Sequence, residues 1–196
     1  MLTRIPRLLL ISATLMLPVH LLVSGQVVNY AKTLPERAFS VGVTPAYHID
    51  NNVILFDAEG PSIGVNAGYG IQYSLDVNAR YVYFFNGPDY FGIDLQYLLQ
   101  EARYSYFSAI AGLHRWEEYG FDLTGLFTYS PRYFLNLSVG LDMDLSFATE
   151  INPRFWLPVN IGLNINDLTF LYTEFNLPVS ERAWSIVALG ASFIFR

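Results

Sequence analysis

The alternation of apolar and polar residues along most of this 196-residue chain predicts an all-β fold, an antiparallel up-and-down β-barrel that crosses a membrane. The chain is 53% hydrophobic and only 14% charged. Beyond the N-terminus, however, no apolar run approaches the roughly 20 residues that a membrane helix needs. Apolar residues instead recur at every second position, which is the period of a strand. The positions between them are mainly Gly, Ser, Asn, Thr and Asp, whereas exposed faces of soluble sheets usually carry more long charged side chains.

The first 25 residues have the outline of a signal peptide. Arg4 and Arg7 precede an apolar stretch that runs to about Val23, and the small residues that follow it suit a cleavage site. We expect cleavage after Gly25. An uncleaved anchor is the alternative, but the apolar stretch is shorter than the roughly 20 residues of a spanning helix.

The expected barrel, residues 38–196, begins after an irregular segment. Residues 26–37 show no clear period and contain Pro35, so we interpret them as a periplasmic lead-in. The barrel is predicted to have about ten strands, an even number, as single-chain bacterial barrels have. Eight strands would result if two weak segments are not strands, and twelve would require residues 26–30 and 53–56 to pair.

Residues 62–75 give the clearest strand prediction, because apolar or aromatic residues alternate there with small or polar ones without a break. This run is longer than the roughly 5 or 6 residues of a typical globular strand, and it suits a tilted crossing of a bilayer. In residues 104–115 the alternation does not decide which face of the strand points outward, since either Phe107 or Tyr106 could point to lipid. The strands are expected at residues 39–49, 62–75, 79–85, 91–99, 104–115, 119–130, 133–147 and 155–165, from residue 168, and at residues 183–195.

The turn positions determine which side chains face outward in the following strand. A two-residue loop is expected at residues 166–167, and residues that flank such a loop share one face of the hairpin. Because Ile165 is predicted to face lipid, Phe170 and Tyr172 should face lipid too, and Glu174 should lie near the membrane interface. Other turns are expected at residues 76–78, 86–89, 100–103 and 130–132.

The last strand ends in the pattern Gly190-x-x-Phe193-x-Phe195, one residue before the C-terminus. This ending resembles the C-terminal assembly signal of bacterial outer-membrane β-barrel proteins, although Ala188 stands at a usually polar position and Arg196 follows the aromatic residue. The resemblance to these proteins rests on this ending, the alternation and the signal peptide, and it covers nearly the whole mature chain. It implies a Gram-negative outer-membrane location, contact with outer-membrane lipids and lipopolysaccharide, and the barrel-assembly machinery as a partner during insertion.

Several charged residues occupy the inward parity of the predicted strands. Ionisable side chains inside a membrane segment are candidate functional residues. They would either close a narrow lumen with ion pairs and polar networks or line a narrow path for small solutes. Closure is the favoured interpretation, because barrels of about eight strands are filled by side chains and wide aqueous channels need about sixteen strands. The candidates for the lumen are Arg80, Asp94, Asp122, Asp142 and Asp144.

Other chemistry finds little support in the sequence. Asp142 and Asp144 would lie roughly 7 Å apart on one face of a strand, but without a second ligand cluster we expect no metal site and no cofactor. The chain also resembles neither family of barrel enzymes that modify lipid A. His48 and His114 do not stand in the His-x-Ser pattern of the deacylases, and the mature chain has no Asp-Ser pair like that of the palmitoyl-transferring barrels.

We therefore expect a non-enzymatic barrel with a plugged lumen, acting as a structural protein or binding a partner through its loops. A narrow channel or carrier is the first alternative, and a lipid-modifying enzyme is the second. The formal net charge of −6 and the absence of a basic patch argue against nucleic-acid binding. The sequence identifies no extracellular ligand.

Overall fold

The computed structural model describes residues 30–49, 60–116, 118–147, 152–181 and 183–196. Ten antiparallel strands form one closed sheet in which each strand pairs with its neighbours in chain order and the last pairs with the first. The predicted barrel and its count of ten strands are confirmed. The strands are β1 (Phe39–Ile49), β2 (Gly60–Gln72), β3 (Leu75–Phe84), β4 (Tyr90–Ala102), β5 (Ser105–Trp116), β6 (Glu118–Arg132), β7 (Leu135–Ser146), β8 (Asn152–Asn166), β9 (Thr169–Pro178) and β10 (Ser185–Phe195).

Some sequence predictions fall outside these ranges. The signal peptide lies outside them, and so do residues 53–56 and all of 26–30 except Tyr30. Within the described ranges, no helix is long and apolar enough to cross a bilayer.

The barrel has an apolar outer surface and a polar inner surface. In β4, Ile93 and Leu95 are about half exposed. Asp94, which lies between them, and Gln96, which follows Leu95, are buried. In β5, whose faces the sequence left open, Leu113 points outward and the adjacent side chains point into the lumen. Closing the sheet pairs the backbone of every strand on both sides, which hydrocarbon requires because it cannot solvate a free N–H or C=O.

The connections differ in length at the two ends of the barrel. Two-residue turns join the strands at residues 73–74, 103–104, 133–134 and 167–168, and β1 begins and β10 ends at this end. At the other end, four of the five connections are longer, for example residues 85–89 and 179–184, and a single residue separates β5 from β6. Outer-membrane barrels have short periplasmic turns and longer extracellular loops, so the end with the two-residue turns is the periplasmic one.

Four predicted turn positions were wrong. Turns were expected at residues 76–78, 100–103, 130–132 and 166–167, but they lie at residues 73–74, 103–104, 133–134 and 167–168. The cause is a register shift beside each turn, where one strand contributes an extra residue to the ladder. The shifts lie between Gly70 and Gln72, Leu98 and Gln100, Tyr129 and Arg132, and Asn164 and Asn166.

The predicted face of β9 was also wrong. Phe170 and Tyr172 lie in the lumen at 8% and 3% exposure, and Leu171 faces lipid. Glu174 is completely buried in the lumen instead of lying at the interface. The turn and the adjacent register shift move the pairing by one residue, and such a slip exchanges the two faces of a strand.

The C-terminal strand closes the barrel against the first strand. Phe195 is opposite Phe39, and Phe193 is opposite Val41. The pairing between β1 and β10 is interrupted around Pro45, because proline has no N–H to donate to the ladder.

Candidate functional site

The lumen is filled by three groups of side chains along the barrel axis. An aromatic cap, defined by Phe84, Trp116, Trp156 and Trp184, fills the extracellular end. A charged layer, defined by Arg80, Asp94, His114, Asp122, Asp142 and Asp144, lies below it. The N-terminal segment, residues 30–38, occupies the periplasmic end. Together these groups make the lumen the candidate functional site.

The aromatic cap packs the three tryptophans of the chain against one another. The ring centroids of Trp116 and Trp184 are 5.1 Å apart, and those of Trp156 and Trp184 are 5.4 Å apart. Phe84 stacks on Trp116 at 5.5 Å. All four side chains are at most 9% exposed. Such a cluster excludes water from the space between its rings.

Arg154 connects the cap to the charged layer. Its guanidinium lies 5.0 Å from the Trp116 ring centroid and 5.6 Å from that of Trp184, within cation–π range. The opposite edge of the group faces Asp144, with 3.9 Å between Nη1 and Oδ2. The indole rings therefore hold Arg154 at the outer limit of an ion-pair distance from Asp144.

Arg80 and Asp94 form the closest ion pair of the charged layer. Arg80 Nη2 donates to Asp94 Oδ1 at 2.8 Å, and Arg80 Nε is 2.8 Å from Asp94 Oδ2. Only the Nη2 contact is a hydrogen bond, and the Nε contact adds attraction between the two charges. The Arg80 side chain is only 10% exposed.

The remaining three predicted lumen residues lie on β6 and β7. Asp122 and Asp144 surround the imidazole of His114, and the Tyr90 hydroxyl donates to Asp122 Oδ2 at 3.0 Å. Asp142 accepts a hydrogen bond of 2.5 Å from Thr124 Oγ1. All five sequence candidates thus have their side chains in the lumen: Arg80, Asp94, Asp122, Asp142 and Asp144.

Sequence reasoning missed three further charged residues in the lumen. Asp76 had been placed in a turn, Glu174 on the outer face, and Arg154 just before a predicted strand. Glu174 binds two amides, with Asn176 Nδ2 at 2.9 Å and Asn160 Nδ2 at 3.3 Å. Asp76 and Glu174 were missed because of the register shifts at the turns, and Arg154 because β8 begins at Asn152, before the predicted start at residue 155.

The N-terminal segment enters the lumen, which the prediction of a periplasmic lead-in did not anticipate. Ala31 is completely buried, and its N–H donates to Thr128 Oγ1 at 3.0 Å. Its carbonyl oxygen accepts a hydrogen bond from Ser108 Oγ. The Tyr30 carbonyl accepts another from Gln96 Nε2 at 2.9 Å. Side chains of three strands therefore bind main-chain groups that a strand partner would otherwise satisfy.

Further contacts hold the segment at the periplasmic mouth. The Leu34 N–H donates to Asp76 Oδ2 at 2.9 Å, and Thr33 Oγ1 donates to the Tyr73 carbonyl at 2.6 Å. The Tyr30 ring packs between Tyr106 and Phe170, with centroids 5.9 and 5.7 Å away. Burial raises the pKa of the Tyr30 hydroxyl to about 12.

A cavity of about 140 Å³ lies between the N-terminal segment and the charged layer. It is large enough for several water molecules, which the polar side chains in its mixed lining would bind. The polar groups that line it include Lys32, Asn66, Asp76, Arg80, Asp94 and Gln96.

A second histidine forms a Ser–His pair in the lumen. His48 Nε2 lies 2.7 Å from Ser62 Oγ, and both residues are at most 1% exposed. The Trp184 indole N–H donates to His48 Nδ1 at 2.7 Å, so Nδ1 is unprotonated. In the neutral imidazole, the proton is therefore on Nε2, which donates to Ser62. A histidine in this tautomer does not take a proton from the serine, as nucleophilic catalysis would require.

Two solved structures of similar fold are described as a porin and an outer-membrane channel. The KdgM porin is 11% identical and matches over 80% of this chain and 99% of its own, at a TM-score of 0.51. An outer-membrane channel from Pseudomonas putida F1 is 7% identical and matches over 88% of this chain and 99% of its own, at a TM-score of 0.56. At these identities the similarity concerns the fold alone. No protein-family model and no curated protein matches the sequence.

The closed sheet, its apolar exterior and the fold similarity define the class of the molecule. It is a transmembrane β-barrel of the type found in the outer membrane of Gram-negative bacteria.

Proposed function

We propose that the protein is an integral outer-membrane barrel whose lumen is closed, and that it acts as a structural component or through its extracellular loops. The observation that carries this proposal is the N-terminal segment inside the lumen, with Ala31 completely buried. A segment that merely led into the first strand would have its backbone in water.

The fit of the segment to the barrel wall supports a resident plug. Gly70 receives the Arg37 N–H at its carbonyl oxygen at 2.7 Å and donates to the Ala38 carbonyl at 2.9 Å. A Cβ at Gly70 would overlap the Pro35 carbonyl. Each net hydrogen bond of this kind stabilises a fold by about 1 kcal/mol, so the several bonds to the segment outweigh thermal displacement at rest.

The aromatic cap supports closure independently at the other end. Its rings are buried by packing against one another and against Arg154. Opening a path through the cap would separate these rings and expose them to water, at a cost of about 25 cal/mol for each Å² of apolar surface.

A narrow channel or carrier is the second candidate function. The observation that favours it is the cavity of about 140 Å³ above the segment, which is lined by both polar and apolar side chains. The two solved structures above are also described as a porin and a channel. In this alternative, the N-terminal segment would be a movable plug and Arg80 and Asp94 would line the path.

Outer-membrane lipids and lipopolysaccharide are the proposed surroundings of the apolar exterior, and the barrel-assembly machinery is the proposed partner during insertion. The proposal includes no extracellular ligand, no nucleic acid and no catalytic step. Mass spectra of lipid A from cells with and without the gene test the last point. A difference between the spectra would indicate an enzyme acting on lipid A.

Planar-bilayer recordings test the closed lumen. We compare the natural protein with Gly70→Ala, which displaces the N-terminal segment, and with Gly125→Ala as the control. A Cβ at Gly125 has its nearest neighbour 4.0 Å away, at Phe107 Cε2, and disturbs nothing. The proposal predicts no unitary conductance from any of the three proteins, because the aromatic cap remains.

The other outcomes are informative in different ways. Unitary conductance from the natural protein would overturn the closed lumen. Conductance from Gly70→Ala alone would favour the second candidate, in which the segment is the gate. Unheated and boiled samples on detergent gels verify that each variant is folded before it is recorded.

A further inference from the structure

The charged layer contains two carboxylates at directly paired positions. Asp122 on β6 is opposite Asp144 on β7. Both residues are at most 4% exposed. Like charges directly opposite each other destabilise a sheet, and the effect grows in a buried setting of low dielectric. A cation close to both carboxylates, or a proton on one of them, removes this repulsion.

His114 faces the same two carboxylates from β5. Its Nδ1 is 3.0 Å from Asp122 Oδ2, and its Nε2 is 3.7 Å from Asp144 Oδ1. Although it is 97% buried, neither ring nitrogen has a hydrogen-bond partner of acceptable geometry. Because the two ring nitrogens face different carboxylates, one nitrogen could bind a metal ion while the other donates to a carboxylate. One ligand atom from each of the three residues lies within 4.8 Å of the others.

The neighbouring cations do not occupy this centre. Arg80 is paired with Asp94, to which its Nη2 donates at 2.8 Å. Arg154 approaches Asp144 only to 3.9 Å because it lies against two indole rings. The guanidinium groups of Arg80 and Arg154 are thus bound on either side of the cluster formed by His114, Asp122 and Asp144.

We propose that His114, Asp122 and Asp144 bind a divalent transition-metal ion of the Zn²⁺ type, with water completing the coordination. One imidazole nitrogen and two carboxylate oxygens are ligands that Zn²⁺ accepts, and three protein ligands with one open position are a common set for it. The ion would join three consecutive strands, β5, β6 and β7, just below the aromatic cap. The sequence did not predict this site, because its ligands meet only through the pairing of separate strands.

The surroundings of the three ligands orient them. The Tyr90 ring stacks on His114 at 5.3 Å, and its hydroxyl donates to Asp122. Ser146 Oγ donates to Asp144 Oδ1 at 3.4 Å. A Cβ at Gly120 would overlap the His114 ring, so this glycine leaves room for the imidazole. Hydrogen bonds of this kind to ligand atoms fix the geometry of metal sites.

Zinc titration of the detergent-folded protein tests the site. The protein is refolded with and without ZnCl₂, because a buried site exchanges slowly, and bound zinc is counted by elemental analysis after gel filtration. We expect one ion per molecule. We also expect His114→Gln and Asp144→Asn each to weaken binding by more than about 10-fold, since even residues that only support a metal ligand contribute this much. Asp142→Asn is the control, because Asp142 lies on the same face of β7 but binds Thr124.

Cu²⁺ electron paramagnetic resonance on the natural protein gives a result that does not depend on a variant folding. We expect hyperfine coupling to one imidazole nitrogen, lost in His114→Gln and kept in Asp142→Asn. The proposal is overturned if no stoichiometric ion is bound, if the spectrum contains no nitrogen coupling, or if His114→Gln binds as the natural protein does. None of these results depends on whether the barrel conducts, so the metal site and the closed lumen can fail separately.

Discussion

Glycines that face the lumen leave space for large side chains on the neighbouring strand. A Cβ at Gly162 would overlap the Phe170 ring, and a Cβ at Gly190 would overlap the Tyr172 ring. None of these glycines has a positive φ, so it is space and not backbone conformation that favours glycine. A ten-stranded barrel can therefore hold inward aromatic rings where an adjacent strand offers no side chain. The same relation joins Gly112 to Asp94 and Gly120 to His114, and Gly92 leaves space for Tyr90 two residues before it on the same strand.

Gly162→Ala tests this relation. We expect the variant to lose about 1–3 kcal/mol of unfolding free energy, because the added methyl group overpacks the lumen against Phe170. Urea unfolding in detergent, followed by tryptophan fluorescence, measures the change. Adding Phe170→Leu to the same protein should recover part of the loss. If Gly162→Ala unfolds at the same urea concentration as Gly125→Ala, the steric account is wrong.

The strands were predictable from alternation because each meets lipid on one face and the lumen on the other. The face of β4, and with it Asp94, followed directly from this period. The periplasmic turns were not predictable, because the register shift beside each one breaks the period where the chain reverses. Asp76 and Glu174 were misplaced for this reason, and the meeting of His114 with Asp122 depends on strand pairing that no local pattern encodes.

At the C-terminal strand, Gly190, Phe193 and Phe195 remain the proposed assembly signal. Phe193 and Phe195 point outward and are accessible in the folded barrel, at 44% and 56% exposure. We expect Phe195→Ala to lower the fraction of protein that reaches the folded, heat-modifiable form in outer-membrane preparations. Phe147→Ala is a matched control, since Phe147 is 55% exposed but follows β7 at the extracellular end. Equal folded fractions for the two variants would argue against a signal at Phe195.

On the scale of the whole molecule, the proposed closure of the lumen rests on interactions of different kinds at its two ends. Packed aromatic rings lie at the extracellular end, and the main chain of the N-terminal segment lies at the periplasmic end. Among the described lumen residues, carboxylates outnumber guanidinium groups: Asp76, Asp94, Asp122, Asp142, Asp144 and Glu174 face Arg80 and Arg154. Hydrogen bonds to neutral side chains and the proposed metal ion compensate this excess.

The position of the N-terminal segment is the central claim, and cysteine labelling tests it most directly. The natural chain has no cysteine, so single substitutions report without background. Ala31→Cys places a thiol in the lumen, where Ala31 is 0% exposed, and Glu36→Cys places one at the periplasmic mouth, where the Glu36 side chain is 57% exposed. With a membrane-impermeant maleimide, we predict rapid labelling at position 36 and labelling at position 31 only after unfolding. Equal labelling rates at the two positions in the folded barrel would contradict a lumen closed by its own N-terminal segment.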